Sequence, residues 1–397
     1  MRIEDYADPT FGRVMTDPTG PWPHPYFLPA SLPRALELLP ATVSAVSRAD
    51  LALGRLSGLA MLLGDPTLLL GPSMAAEALS SSRIEGTQAS LSDVLSARSA
   101  DDPIEDENLR EVSNYLTSVD LGQQLLEKWP LTQRLFCALH ESLLTGVRGE
   151  EKSPGEIRHS PVWIGSPDAR PTTAKFIPPH QNRLGDLIAD WERFVNEPPP
   201  MPAVVRAALA HYQFETIHPF LDGNGRIGRV IIGLQLMSDR VLDTPILPMS
   251  RYFEARRSEY YDRLQAVRER AEIDEWIQFF CAGIEQQANE TAARIRALVG
   301  IRERYRRDTI TDRSALVSVI DLIFRNPVVT VSSVQRFAAI SQPTASAAIH
   351  KAEARGWLRS AGRWGRGGRE RWIATEIWEA VTDEPAIPDD ASEGAHS

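Results

Sequence analysis

The sequence predicts a mainly α-helical protein built from several domains. Apolar residues recur at three- and four-residue steps through much of the chain, the spacing that places them on one face of a helix. Strand-like runs are rare. The chain has 397 residues, 43% of them hydrophobic, which is enough for two or three separate cores. Helical domains with little sheet are therefore expected.

The N-terminal part combines a proline-rich start with amphipathic helices. Prolines in residues 1–30 favour an extended arm that lies on a domain surface. Helical spacing then runs from about Arg34 to Leu63 and, behind Pro72, from about 73 to 84. We assign 1–30 to the arm and 31–115 to an N-terminal helical domain.

A central domain, 116–290, continues the helical pattern with one exception. The runs Pro161–Gly165 and Ala174–Pro178 are β-prone and flank a polar turn that contains proline. Two such runs around a turn predict a β-hairpin. The central domain should therefore be a helical core with one small hairpin.

The C-terminal part is predicted to be separate. A charged helix at 291–313 links the central domain to a unit at 314–376, where helices precede two strands around a basic, glycine-rich turn. That unit resembles a winged helix-turn-helix. Between residues 332 and 373 there are eight Lys or Arg and two acids, a balance that suits the phosphates of DNA. A dimerisation or protein-docking module is the alternative. Acidic residues and prolines at 377–397 predict a disordered tail.

Composition narrows the location and the partners. The net charge of −10 argues against a surface that coats nucleic acid as a whole. Cys137 and Cys281 lie in apolar, helix-like sequence, so packed and reduced thiols are expected. No run approaches the ~20 apolar residues of a membrane helix, and the N-terminus lacks a signal-type apolar core. We expect a soluble, cytoplasmic protein with no membrane partner.

One glycine-rich loop carries the strongest chemical signal. Gly223 and Gly225 allow a tight turn that opens directly into a helix, so backbone N–H groups and the positive end of the helix dipole face one point. Such a turn binds phosphate. Arg226 and Arg229, three residues apart, can meet phosphoryl oxygens, and Asn224 can fix an oxygen or the loop itself.

Two further side chains complete this loop. His218 stands at its entrance, where a neutral imidazole can take a proton from an incoming hydroxyl. Asp222 can hold a divalent cation that bridges phosphate groups. A lone Gly-X-Gly turn or a lone histidine would mean little, but here all these residues coincide at one junction of two helices. A Walker loop fits less well because its Gly-Lys-Ser/Thr is missing here.

The stretch from His218 to Arg229, HPFLDGNGRIGR, resembles the complete signature of the Fic family. The resemblance implies an all-helical catalytic core in which His218 deprotonates a protein hydroxyl that attacks the α-phosphate of ATP, with Mg²⁺ on Asp222. The other nucleotide-binding positions that it implies are Gly223, Asn224, Gly225, Arg226, Ile227, Gly228 and Arg229. Phosphotransferases of the family, typified by Doc, replace the second loop glycine with a bulkier basic residue. The retained Gly225 therefore favours transfer of AMP.

Two other regions extend the resemblance. Trp163, Ile164 and Gly165 match the family's flap, which is the predicted hairpin and holds an extended target segment by strand-like hydrogen bonds. Tyr261 matches an aromatic residue that lines the pocket for the nucleotide base. Local packing is the alternative for Trp163, and a place in the core is the alternative for Tyr261.

A segment near residue 85 resembles the inhibitory motif of Fic proteins. Ser81 and Glu85, followed by Gly86, reproduce its serine, three residues, glutamate and glycine. The resemblance implies that Glu85 pairs with Arg229 and withdraws it from the γ-phosphate. An ordinary helix end is the alternative for such a string.

Together these features predict an autoinhibited protein adenylyltransferase that modifies a Ser, Thr or Tyr hydroxyl of a target protein, or its own. A homodimer is expected. One alternative is a DNA-binding regulator, in which 314–376 contacts DNA and the core senses a nucleotide. Another is a Fic enzyme that removes AMP, with Glu85 activating water, or one that uses a different nucleotide donor.

Overall fold

The structure is a computed structural model that describes residues 1–16, 22–61, 67–100, 103–166, 168–310, 315–364 and 368–382. Within these ranges the protein is mainly helical, as predicted. The helices are α1 Pro40–Met61, α2 Thr67–Ile84, α3 Leu91–Ser99, α4 Glu107–Leu126, α5 Gln133–Leu144, α6 Leu184–Asn196, α7 Ala203–Ile217, α8 Asn224–Ser238, α9 Met249–Ala255, α10 Arg257–Arg270, α11 Ile273–Arg307, α12 Leu316–Arg325, α13 Val331–Ala338, α14 Gln342–Ala354 and α15 Thr375–Val381. The strands are β1 Gly12–Met15, β2 Tyr26–Pro29, β3 Val328–Val329, β4 Arg359–Trp364 and β5 Arg369–Ile373.

One hydrophobic core joins the N-terminal and central helices. Buried residues of α1, α2 and α4 belong to the same cluster as those of α5, α7 and α8. The predicted division between 115 and 116 lies inside α4, whose residues on both sides are buried in that cluster. A second difference concerns α2, which starts before Pro72 and contains it. α2 packs against α4, α9 and α12, and this packing offsets the cost of a proline inside the helix.

The longest helix, α11, ties the molecule together. The segment 291–313 is predicted as a separate linker, but as far as Arg307 it is the second half of α11. Ile277 and Ile284 of α11 lie in the main core, whereas Leu298 and Tyr305 lie in the core of the C-terminal unit. Continuous burial along the helix explains why no break occurs near residue 290.

The first 30 residues are not the surface arm that their prolines suggest. β1 and β2 pair antiparallel, with Gly12 opposite Pro29, and the side chain of Phe27 is fully buried. The backbone N–H of Phe27 donates to the carbonyl of Ile177 at 2.9 Å. Tyr26 packs with Ile177 in a small separate cluster. The N-terminal hairpin therefore supports the second run of the predicted hairpin, which contains Ile177.

The C-terminal unit contains the predicted helices and paired strands. β3, β5 and β4 form an antiparallel sheet in that order, and α12, α13 and α14 belong to the same unit. The prediction of a disordered tail at 377–397 is wrong for its first residues, because Ile377 and Trp378 are buried within α15. The remainder of that tail, 383–397, lies outside the described residues.

The C-terminal unit is docked on the N-terminal helices through hydrogen bonds to α3. Asn326 Nδ2 donates to the carbonyl of Leu95 at 2.8 Å and to Ser99 Oγ at 2.9 Å. Arg371 Nη1 donates to Ser96 Oγ at 2.6 Å. Because Asn326, Ser96 and Ser99 are buried, the unit is held by a desolvated polar interface.

Candidate active site

His218 is presented by the end of α7. The helix stops because His218 adopts the left-handed conformation, φ 52°, and its N–H caps the helix by donating to Phe214 O. The ring atom Nδ1 lies 3.4 Å from the carbonyl oxygen of Glu215. A carbonyl only accepts, so this contact places the proton on Nδ1 and leaves Nε2 unprotonated. Burial and then the charge of Arg158 lower the pKa of His218 to about 3, so the imidazole is neutral near pH 7.

The loop after His218 is closed by one side chain. Asn224 Oδ1 accepts from the N–H of Phe220 at 2.8 Å, and Asn224 Nδ2 donates to the carbonyl of Phe220 at 2.9 Å. Asn224 thus fixes the loop, one of the two roles its sequence position allows. Gly223 has φ 74° and packs on His140, so a side chain there would be strained and crowded.

Two buried residues from before the flap hold this loop in place. His140 Nε2 lies 3.0 Å from Asp222 O while its Nδ1 accepts from Gly155 N, and its ring stacks on Phe220. Arg158 Nε donates to His218 O at 2.8 Å, and its Nη2 donates to Pro179 O at 2.6 Å. These bonds connect the loop to the strand-like segments of the flap.

Arg229 is a buried side chain of the site that makes three hydrogen bonds to Ser81 and Glu85. It is 3% exposed, and its Nε donates to Ser81 Oγ at 2.9 Å. Its Nη2 donates to Ser81 O and to Glu85 Oε1, each at 2.8 Å. Burial alone would raise the pKa of Glu85, but Arg229 and Arg226 outweigh it and hold that pKa below the ordinary value. The end of α2 therefore reaches the first turns of α8 through one ion pair.

Glu85 and Arg229 lie directly over the helix start. A Cβ at Gly225 would overlap Glu85 Oε1 and would lie 2.9 Å from Arg229 Nη1. Only a residue without a side chain fits at this position while the ion pair is formed. The backbone of the loop is thus covered by Glu85.

Asp222 and Arg226 form the other side of the loop. The Asp222 side chain is 42% exposed, and its Oδ1 lies 3.5 Å from Arg226 Nη2. Arg226 is buried, and its Nη1 is 3.9 Å from Glu111 Oε2. Within the described ranges, Arg226 Nε and Nη1 have no hydrogen-bond partner. A buried cation with unmade bonds is suited to a phosphate ligand.

A magnesium ion would have few protein ligands here. No group of three or more His, Cys, Asp or Glu in the described part of the chain could hold a metal. The partly exposed carboxylate of Asp222 nevertheless fits Mg²⁺, which commonly takes one or two carboxylates, water and phosphate oxygens. Gly149 leaves room beside it, since a Cβ there would lie 3.3 Å from Asp222 Oδ2.

The flap and the loop enclose one cavity of about 570 Å³. Ile164 and Phe176 exchange backbone hydrogen bonds of 2.8 and 3.1 Å, so the predicted hairpin is present as a single β-bridge. The sequence-predicted residues that line the cavity are Glu85, Trp163, Ile164, Gly165, His218, Gly225, Arg229 and Tyr261. Trp163 stacks on Trp22 of the N-terminal segment, which gives it a packing contact as well.

The other predicted positions lie outside the walls of this cavity. They are Ser81, Asp222, Gly223, Asn224, Arg226, Ile227 and Gly228. Ile227 is fully buried in the main core, and its N–H donates within the helix to Gly223 O. Its side chain and N–H are therefore already engaged, whereas Nε and Nη1 of Arg226 have no hydrogen-bond partner among the described residues. Tyr261 is 36% exposed on the cavity wall, whereas its neighbour Tyr260 is buried against His211.

Three charged residues of the site escaped the sequence analysis as functional candidates. Glu215 and Arg268 line the cavity, and Arg158 holds the loop. Glu215 precedes His218 by three residues, so the helical period places both on one face of α7. Arg158 precedes the flap in the sequence, and its bond to His218 O depends on the fold. Arg268 comes from α10, and its position depends on how that helix packs.

Two family models match the chain. Residues 43–124 match the model described as Fic/DOC family N-terminal, and residues 130–236 match the Fic/DOC family model. The chain contains Fic/DOC family domains. The second match covers the loop and His218, and the first covers Ser81 and Glu85, so the contact of Glu85 with Arg229 joins the two Fic regions.

Individual relatives agree with the Fic assignment. "Protein adenylyltransferase Fic" of Drosophila ananassae is 31% identical over 163 residues, 39% of this chain and 29% of that protein. The Drosophila grimshawi protein of the same name is 28% identical over 193 residues, 47% of this chain and 36% of that protein. The chain thus spans about a third of these relatives. A crystal structure of a Fic family protein from Desulfovibrio desulfuricans G20 matches with a TM-score of 0.54 and 21% sequence identity. The match extends over 86% of this chain and 97% of that chain, and it supports the fold.

Two general expectations can also be compared with the structure. Cys137 and Cys281 are free thiols, in agreement with the sequence prediction. No helix among the described residues has the length and apolar character needed to cross a bilayer.

Proposed function

We propose that the protein transfers AMP from ATP to a hydroxyl group of a protein. The observation that carries the proposal is the single cavity in which a neutral His218 faces the glycine-rich start of α8 and Arg229. The name shared by the curated relatives supports the same reaction. The chain matches only part of the length of these relatives. The target and the inhibition by Glu85 are therefore inferred from the geometry of this chain.

His218 is the general base in this proposal. Its Nδ1–H is directed to the carbonyl of Glu215, and Nε2 accepts the proton of the target hydroxyl. The hydroxyl oxygen forms a bond to the α-phosphorus of ATP as the bond to the bridging oxygen breaks, and pyrophosphate leaves. Because the pKa of His218 is far below 7, every molecule holds the base in its unprotonated form at neutral pH.

The loop and two arginines hold the phosphates. The N-terminus of α8 offers backbone N–H groups and a partial positive charge. Arg226 contributes its unpaired Nε and Nη1. Asp222 would hold Mg²⁺, which supplies neutralisation of charge on the phosphate oxygens when bound.

Glu85 restrains this reaction. It occupies the space over Gly225 and takes Arg229 into an ion pair of 2.8 Å, so the arginine is withheld from the terminal phosphate of ATP. The Glu85 side chain is still 31% exposed, so solvent reaches one partner of the pair and screens it in part. Removal of Glu85 should free both the space and the cation.

The flap positions the target. Ile164 and Phe176 use one β-bridge, and the open edge of such a short hairpin can pair with an extended segment. Main-chain hydrogen bonds of this kind select little for sequence. The target is therefore any protein that can present an extended segment carrying a hydroxyl side chain near His218.

Intact-mass spectrometry after incubation with ATP and magnesium tests the reaction. We expect a mass gain equal to AMP on the protein itself, larger in Glu85→Gly and absent in His218→Ala. Glu85→Gln is the matched control for charge, because it keeps the size of the side chain while it weakens the pair with Arg229. His350→Ala is the matched control for a histidine, since His350 is exposed in the C-terminal unit.

Each alternative gives a different result in the same assay. A gain equal to phosphate would indicate phosphotransfer, and a gain from another nucleotide only would indicate a different donor. Loss of AMP from a modified sample, dependent on Glu85, would indicate the reverse reaction. No mass gain in Glu85→Gly with any nucleotide would refute the proposal.

A second candidate function, binding of duplex DNA, rests on exposed basic residues of the C-terminal unit. Lys351 on α14 is exposed, as are Arg359 and Arg363 on β4. Exposed Lys and Arg supply the phosphate contacts that DNA binding requires. Anisotropy of a labelled duplex, titrated at several salt concentrations, should show binding whose salt slope falls by about 2 in R359E/R363E. Equal binding by R359E/R363E would exclude a role for these two arginines.

A further inference from the structure

A second carboxylate, that of Glu215 on α7, lies near Arg229 of α8. Gly225 and Gly228 are three residues apart, so they lie on the same face of the first helical turns as Arg229. The space over Gly225 is filled by Glu85. The space over Gly228 is filled by Glu215, whose Oε1 would lie 2.5 Å from a Cβ at that position. Two carboxylates from different parts of the chain thus flank one guanidinium.

Glu215 is poorly satisfied in this arrangement. Its side chain is buried, it lines the cavity, and its Oε1 has no hydrogen-bond partner among the residues that the structure describes. Glu85, by contrast, receives a direct hydrogen bond from Arg229. A buried carboxylate without a bonded partner is costly in its ionised form, and a neighbouring carboxylate increases that cost. The contact of Arg229 with Glu85 therefore comes at the expense of Glu215.

We propose that Glu215 is a positioning residue that competes with Glu85 for Arg229 and so sets how readily Arg229 becomes available to the nucleotide. The inference rests on the proposed AMP transfer and on the restraint by Glu85. When Glu85 leaves, Arg229 remains a buried cation that has lost the carboxylate paired with it. An ionised Glu215 then stabilises it inside the cavity and favours the released state.

The charges around Glu215 make this competition depend on pH. Burial raises the pKa of Glu215 to about 7, opposed by Arg229 and Arg268 and reinforced by Glu85. The hydroxyls of Tyr260 and Tyr261 also face this carboxylate, and burial keeps both neutral. Departure of Glu85 removes one negative neighbour, so the pKa of Glu215 must be lower in the released state. Rising pH therefore favours release.

The measurement is the restraint ratio, defined as the initial rate of AMP incorporation in Glu85→Gly divided by the rate in the parent protein. This ratio cancels pH effects on the chemistry that both proteins share. If release lowers the pKa of Glu215 from about 7 by about one, the ratio falls about fivefold between pH 6 and pH 8. The same ratio measured in a Glu215→Gln background should be independent of pH.

Controls separate this role from other causes. Glu215→Asp keeps an ionisable group and should keep a pH-dependent ratio, and thermal unfolding of each variant checks folding. Glu77, also near Arg229 and with a pKa raised by burial to about 7, remains in all variants, so its contribution would persist in Glu215→Gln.

Three results would overturn the inference. One is a restraint ratio that does not change with pH when Glu215 is present, and this measurement needs no Glu215 variant. Another is an equal fall of the ratio in the Glu215→Gln background. Absence of AMP transfer in Glu85→Gly at both pH values would instead refute the proposed function, and the inference with it.

Discussion

Replacement of Ser81 by alanine tests how Arg229 is held away from the nucleotide. Ser81 Oγ is the only acceptor found for Arg229 Nε in the described part of the chain, at 2.9 Å. The Ser81 carbonyl and Glu85 bind the other end of the guanidinium and stay in place after this change. Ser81→Ala therefore leaves one donor of a buried cation without a partner.

The size of the effect follows from that single bond. A hydrogen bond to a charged group contributes about 1.5–3 kcal/mol, and each 1.4 kcal/mol changes an equilibrium about tenfold. Loss of the bond in the restrained state alone should favour the released state by about 10- to 100-fold. The initial rate of AMP incorporation, measured by intact mass with ATP and magnesium, should rise toward the rate of Glu85→Gly without exceeding it.

Ser82 supplies a matched control on the same turn of α2. Its side chain is also fully buried, but its Oγ has no hydrogen-bond partner among the described residues. Ser82→Ala removes an equal volume without breaking a bond and should leave the rate close to that of the parent. If Ser81→Ala is no faster than Ser82→Ala, the reasoning that Ser81 holds Arg229 in the restrained state is refuted.

Three further predictions concern the loop, the base and the docked C-terminal unit. Asn224→Ala removes both hydrogen bonds that close the loop and should lower the free energy of unfolding by about 1–3 kcal/mol, measured with urea; an unchanged midpoint would contradict it. In Glu85→Gly, the rate at pH 5.5 should stay within about twofold of that at pH 7.5, because the pKa of His218 is about 3; an ordinary value near 6.5 would give about a tenfold loss. Asn326→Ala should make the chain easier to cleave between α11 and α12 by limited proteolysis, and equal protection would argue against the role of this contact.

The sequence indicated the glycine-rich loop as a candidate site because its residues are close together in the chain. His218, Asn224 and Gly225 lie within eight positions, and the helix that follows is specified by local spacing. Local pattern is sufficient where neighbours in sequence are neighbours in space.

The predictions that failed depend on packing between distant segments. Prolines in the first 30 residues correctly indicate extended backbone, but burial of Phe27 depends on contact with the segment around Ile177. The segment 377–397 was predicted to be a disordered tail, yet at its start Trp378 is buried in α15, which packs on α11. Composition alone does not report whether another element covers a side chain.

By itself the sequence determined that the protein is mainly helical and that one loop combines a histidine, two glycines and two arginines. It also indicated, by resemblance, that Glu85 would meet Arg229. Only the tertiary structure decided what surrounds that pair. The distance of 2.8 Å, the bonds to Ser81 and the second carboxylate at Glu215 arise because α2, α7 and α8 converge on one buried point. The strength of an interaction between two charges depends on how well water is excluded around them. For residues far apart in the sequence, that surrounding is set only when the chain folds.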